Sequence, residues 1–156
     1  MFFNTEIAHA VPLESGLEIC KDNKKYVSVW TANTALTAGI PYVIGYDGDG
    51  GAGKQIVAGA PATLAGAVNI VGVPETSLAT GVYGWVQIYG NAEVARIAQD
   101  IVAGDYLEVL DAGVSLTPTS TTRRVSSCAV AVDASTVASD FTTFLFGIPV
   151  EINSAT

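Results

Sequence analysis

The chain has 156 residues, 49% of them hydrophobic and only 14% charged, and fifteen acids against seven bases leave a formal charge of −8. That length fits one domain with its own core, and the acidity excludes nucleic acid or an anionic membrane surface as the main partner, since both repel it. One His and two Cys exclude a multi-His or multi-Cys metal site.

The opening stretch, Met1-Phe2-Phe3-Asn4-Thr5-Glu6, has no base and no apolar run long enough for a secretory signal. Gly, Pro, Asp or Asn interrupts every stretch that approaches the ~20 apolar residues of a transmembrane helix. Synthesis in a cytoplasm is therefore expected, with Cys20 and Cys128 as reduced, small, buried side chains.

Residues 1–25 hold no sustained period and read as an extended N-terminal arm, and residues 26–156 as one β domain. The first strand is expected near Tyr26, in the run Tyr26-Val27-Ser28-Val29-Trp30-Thr31. Ile40 to Tyr46 follows, with Pro41 at its start, where a missing donor is tolerated. Further strands are expected at Ala67–Val73, Val82–Tyr89, Glu93–Ile97, Tyr106–Leu110, Cys128–Val132 and Thr142–Ile152. Gly48-Asp49-Gly50-Gly51, Ala103-Gly104-Asp105, Asp111-Ala112-Gly113 and the Thr117–Thr122 run with Pro118 punctuate them as turns and loops. Such spacing predicts an all-β sandwich or barrel-like domain. One stretch competes: Val94, Ile97, Ala98 and Ile101 have helical spacing after a capping Asn91. Strand is favoured there, because glycine-rich surroundings weaken helices.

Two echoes run through the chain. Ala38-Gly39-Ile40-Pro41-Tyr42-Val43-Ile44 resembles Ala103-Gly104-Asp105-Tyr106-Leu107-Glu108-Val109, and Val71-Gly72-Val73-Pro74 resembles Phe146-Gly147-Ile148-Pro149. Two β units of similar design explain both, as does chance in a Gly/Val-rich chain.

Chemical motifs fail on their own requirements. Gly48–Lys54 imitates a phosphate-binding loop, but Gln55 replaces the Mg²⁺-binding hydroxyl, and Gly59 and Pro61 break any helix that would face the phosphate. Asp47 and Asp49 start an EF-hand frame that Gly51, Ala52 and Ala58 then break. His9 is the sole imidazole, and no Gly-x-Ser-x-Gly elbow occurs. The pairs Glu93/Arg96 and Glu108/Asp111 read as surface charge. No enzyme and no cofactor are expected. Trp30, Trp85 and the six Tyr read as core or cross-strand packing. Adjacent Phe2 and Phe3 read as anchors into a partner or neighbouring subunit, with Ile7 and Val11 in support, against folding back on the parent domain. Arg123-Arg124 reads as a grip on an acidic protein patch, against simple solvation.

Several stretches carry a resemblance: Leu36-Thr37-Ala38-Gly39-Ile40-Pro41-Tyr42-Val43-Ile44-Gly45, Asn69-Ile70-Val71-Gly72-Val73-Pro74-Glu75, Gly81-Val82-Tyr83-Gly84-Trp85-Val86-Gln87-Ile88-Tyr89-Gly90 and Ile101-Val102-Ala103-Gly104-Asp105-Tyr106-Leu107. In order and wording they resemble head decoration (cement) proteins of tailed bacteriophages. The arm and the Asp47–Lys54 loop depart from that pattern. The resemblance implies a β-tulip type of all-β fold and a structural virion protein. Its expected place is the outer surface of an HK97-type capsid, bound to the major capsid protein and to itself as a homotrimer, with no catalytic residues. The alternatives are another virion β-module, of a tail or spike, and a carbohydrate-binding β-sandwich.

Overall fold

A computed structural model of the chain describes residues 11–12, 14–31, 35–47, 55–58, 70–97, 100–109, 115–118, 127–136 and 139–150. All regular structure among them is β: β1 (Glu18–Lys21), β2 (Lys24–Trp30), β3 (Tyr42–Asp47), β4 (Gln55–Ala58), β5 (Ile70–Gly72), β6 (Tyr83–Ile97), β7 (Tyr106–Val109), β8 (Leu116–Pro118), β9 (Ser127–Ala131) and β10 (Ser139–Val150). One mixed sheet connects them, in the order β10-β9-β7-β8-β6-β2-β4-β3-β5, with β1 beside β2 and a further pairing of β10 with β6. The all-β, barrel-like expectation holds.

The arm ends earlier than expected. β1 and β2 form a hairpin that pairs Glu18 with Val27 and Lys21 with Lys24. Its two-residue turn is Asp22-Asn23, with φ of 52° and 62°, the doubly left-handed turn that matches the twist of two strands and that Asp and Asn tolerate best. Upstream, the buried Ser28 hydroxyl accepts from Leu17 N and donates to Glu14 O, both at 2.8 Å. Among the described residues, hydrogen bonds to β2 thus begin at Glu14, ahead of the expected start at Tyr26.

Two expected strands, Val82–Tyr89 and Glu93–Ile97, are one fifteen-residue strand, β6. Val86, Ile88 and Ala92 point inward at even positions, then Ala95 and Ile97 at odd ones. The change of parity is a β-bulge: Ala95 pairs with Phe141 and Ala92 with Thr143, so two residues of β6 face one of β10. The bulge breaks the period of two, and the helix-like spacing around Val94–Ile101 is its trace. The start of the Thr117–Thr122 run, expected as loop, belongs to β8, which ends at Pro118.

The first sequence echo marks a structural repeat. Adding 65 to residues 36–44 gives 101–109, and adding 57 to residues 70–90 gives 127–147. These two shifts carry one set of contacts onto another. The bridge Leu36–Leu78 becomes Ile101–Ser135. Gly39 N donating to Pro74 O at 2.9 Å becomes Gly104 N donating to Ala131 O at 2.9 Å. The pair Tyr42–Gly72 becomes Leu107–Ala129, and Val73–Gln87 becomes Val130–Phe144. Gly39 and Gly104 make the same turn with φ of 79° and 89°. Topology repeats too: β4 runs parallel to β2 as β8 does to β6. The second echo does not follow the repeat, for Val71–Pro74 maps onto Cys128–Ala131, and Phe146-Gly147 onto Tyr89-Gly90.

Each unit has a core. Val27, Val29, Leu36, Ile40, Tyr42, Ile44, Val86 and Ile88 fill the first. The second holds Ala92, Ala95, Ile97, Leu107, Val109, Leu116 and Leu145, and it takes in Val71 of the first unit's β5 and Val73 just after it. The two halves share β6 and part of one core.

Candidate interaction surface

The strand register sets which aromatic side chains reach the surface. Tyr42 is buried, while Tyr26, Trp30, Tyr83 and Trp85 are half-buried, as the packing expectation has it. Tyr89 and Tyr106, at 44% and 47% exposed, pack against rings of another strand at the surface and not in a core. They belong to a ridge of four rings on the outer face of the second unit. Tyr89 lies 5.3 Å from Phe144, Phe144 6.4 Å from Phe146, and Phe146 6.2 Å from Tyr106, centroid to centroid. β6 supplies the first ring, β10 the middle two and β7 the last, and half-buried Val130 of β9 pairs with both Phe144 and Tyr106. Neighbouring rings are tilted by 50–78°. Edges meet faces, so the ridge is a packed apolar relief and not the flat platform on which a sugar ring stacks. At the Tyr89 end it meets a groove lined by Cys20, Asn23, Lys24 and Lys25.

A second concavity, a cleft of about 290 Å³, lies on the first unit between Tyr26, Tyr83 and Trp85, with Val11 and Pro12 at its rim. Glu75 Oε1 accepts from the Tyr26 hydroxyl at 2.9 Å and from Lys24 Nζ at 3.2 Å. Burial, and then the bond to the Glu75 carboxylate, push the Tyr26 hydroxyl well above the usual phenol range. Lys24 also reaches Glu93 at 3.9 Å, and Lys25 pairs with Glu18 at 2.8 Å. Partly exposed pairs of this kind contribute about 0.2–1 kcal/mol each, and less in salt.

Of the expected contact residues, only Val11 lies among the described residues, 71% exposed at the cleft rim. Phe2, Phe3, Ile7, Arg123 and Arg124 lie outside them, as does His9. Gly48–Lys54 also lies outside, but its flanks are informative: Asp47 ends β3 and pairs with Gln55, which opens β4. The loop therefore joins two antiparallel strands, and no helix starts after Lys54 to face a phosphate. Asp47, the first residue of the EF-hand frame, is a strand residue. Glu108, read as surface charge, is buried at 4% exposure. Among the described residues no three His, Cys, Asp or Glu side chains are grouped to hold a metal.

The cysteines differ. Both are free, but Cys20 is exposed on β1 and only Cys128 is buried as expected. Burial, above all, pushes the Cys128 thiol from 9.0 up to about 12. A native thiol titration should therefore count one reactive group, Cys20, and a second only on unfolding. The shift has a sign for stability. Above pH 9 the unfolded chain loses the Cys128 proton and the folded chain keeps it, so stability falls as pH rises from 9 towards 12. One such group takes about 1.4 kcal/mol per pH unit at full slope. Thermal melts should show a midpoint falling between pH 8 and 10 that is flatter in Cys128→Ala; equal slopes would show that this thiol is not the cause.

Comparison with protein-family models, with curated proteins and with solved structures finds no match.

Proposed function

We propose that this protein is a structural assembly protein without catalytic function: a head decoration (cement) protein. In this reading it binds the outer surface of an HK97-type phage capsid, as copies that also bind each other in a homotrimer. The ridge Tyr89–Phe144–Phe146–Tyr106 carries the assembly part of the reading. Four aromatic rings without a charge among them, partly open to water on a strand-built body, are what a protein partner covers. The capsid as that partner rests on the resemblance of residues 36–151 to decoration proteins. The acidic body suits an outer face, because it is repelled by packaged DNA. Many copies on a symmetric shell need only modest contacts each. The protein is then made in the host cytoplasm and carried in the virion.

The test is co-sedimentation with purified undecorated capsids. In this reading Phe2 and Phe3 anchor the arm, with Ile7 and Val11 in support, and Arg123 and Arg124 add a basic grip. Burying two Phe side chains contributes roughly 1.5–3 kcal/mol each, more than tenfold in affinity. Deleting residues 2–12 should leave the melting temperature close to that of the full chain, because the described backbone ties to β2 begin at Glu14. Capsid binding should weaken by that factor. Undiminished binding of the truncated chain would rule the arm out as anchor.

A further inference from the structure

The cleft on the first unit joins features that neither core packing nor the assembly role uses. Tyr83 and Trp85 stand two apart on β6, and the pairings Tyr26–Gln87 and Ser28–Trp85 put Tyr26 on the same face. All three rings are half-buried, and the rest of their surface lines the cleft. Glu75 and Thr76, just past the bridge of Val73 to Gln87, bring a carboxylate and a hydroxyl to the lining. The carboxylate is held in place, for Oε1 accepts from the Tyr26 hydroxyl at 2.9 Å and from Lys24 Nζ at 3.2 Å. Both bonds fall on Oε1, so among the described residues Oε2 is the acceptor left to a ligand. Lys21 lines the same cleft.

These charges decide the class of ligand. A cation would meet Lys21 and Lys24, and an anion would meet Glu75 on a chain of charge −8. A wholly apolar ligand would strip water from the Glu75 carboxylate and return nothing. A neutral molecule with apolar faces and a hydroxyl edge suits all of these groups at once. A pyranose is such a molecule: its C–H faces lie against aromatic rings, and its hydroxyls donate to a carboxylate or accept from an ammonium. We propose that the Tyr26–Tyr83–Trp85 cleft binds a neutral saccharide, with Glu75 Oε2 accepting from its hydroxyls. At about 290 Å³ the cleft lies at the small end of ligand pockets, so it takes the end of a glycan and not a long chain. Affinity per site is then weak, and copies held side by side raise it. Only that gain rests on the proposed assembly role.

Cys20 supplies the handle for the test, because it is free, exposed and lines the other groove. The full chain, biotinylated there and gathered on streptavidin, is applied to an array of neutral, sialylated and sulfated glycans. Neutral glycans that share a terminal sugar should bind, and a free disaccharide ending in that sugar should compete. The same disaccharide should change the tryptophan fluorescence of the unlabelled chain. Trp85→Ala should weaken binding by at least about tenfold, as loss of a central aromatic anchor does. Glu75→Gln, at an exposed position, should also weaken it, and keeps the readout should Trp85→Ala melt early. Tyr106→Ser, on the ridge, should leave it unchanged. An array on which no neutral glycan binds overturns the site, and so does binding confined to sialylated or sulfated glycans. Glycan binding that neither Trp85→Ala nor Glu75→Gln alters overturns it too. Capture of a proline-rich peptide in place of any glycan would make the cleft a peptide groove instead. Capsid co-sedimentation is read separately, so an empty array leaves the assembly role standing.

Discussion

Gly90→Ala should be among the most damaging single substitutions in this chain. Gly90 sits in mid-β6 with φ of 90°, a conformation that costs a side-chain-bearing residue about 1–2 kcal/mol. An added Cβ would also lie 2.6 Å from Asn23 O and 3.2 Å from Lys24 Cα. Both are backbone atoms of the β1–β2 hairpin, so no rotamer change relieves the contact, and overpacking of this sort costs a further ~1–3 kcal/mol. Together these remove about 2–5 kcal/mol, roughly 5–20 °C in melting temperature for a chain of this length. Gly104→Ala separates the two causes. Gly104 has almost the same φ, 89°, but open space where its Cβ would stand, so only the conformational cost of ~1–2 kcal/mol applies. Urea unfolding of both variants should show Gly90→Ala losing about twice as much or more. Equal losses would show that the hairpin yields.

The contrast between these glycines shows where sequence reasoning reaches and where it stops. The Ala-Gly turns at 38–39 and 103–104 are legible, because a glycine before a β-branched or aromatic run is a local signal, and the echo between them is the repeat itself. β2, β3, β7, β9 and β10 are legible for the same reason. Gly90 is not: its necessity comes from a hairpin sixty-odd residues upstream. β1 escapes because its turn, Asp22-Asn23, lacks the glycine that usually announces a two-residue hairpin, although both residue types tolerate the left-handed region. β4 and β8 are short and flanked by Gly or Pro, and each is held between the preceding strand and a more distant one, β3 and β2 for one and β7 and β6 for the other. The ridge is the plainest case. Alternation places Tyr89 and Tyr106 on the outer face of a strand, but whether an outer face is wet depends on what packs outside it. In the first unit the second unit does so. That fact belongs to tertiary structure, and no local pattern carries it.

Because the halves share β6 and the second core takes in Val71 and Val73 of the first, they should unfold together. Leu36, at 1% exposure, belongs to the first core and Leu107, at 0%, to the second. Truncating either to Ala removes buried methyls and leaves a cavity, at about 2–5 kcal/mol each. Were the units independent, Leu36→Ala would lower the first unit's transition and leave the second where it was. Val71 of the first unit's β5, and Val73 just after it, however, pack in the second unit's core. Losing the first unit would expose both and free the half of β6 that pairs with β2. The second unit would lose a wall of its core, a cost comparable to the truncation itself. Calorimetry should therefore give one transition for the parent and for each variant, lowered by roughly 5–20 °C in either case. The double variant should show nearly additive losses, since the two sites lie in different clusters. Two resolved transitions, each moved by only one of the substitutions, would mean that β6 joins the units without coupling them, and that each repeat is a folding unit in its own right.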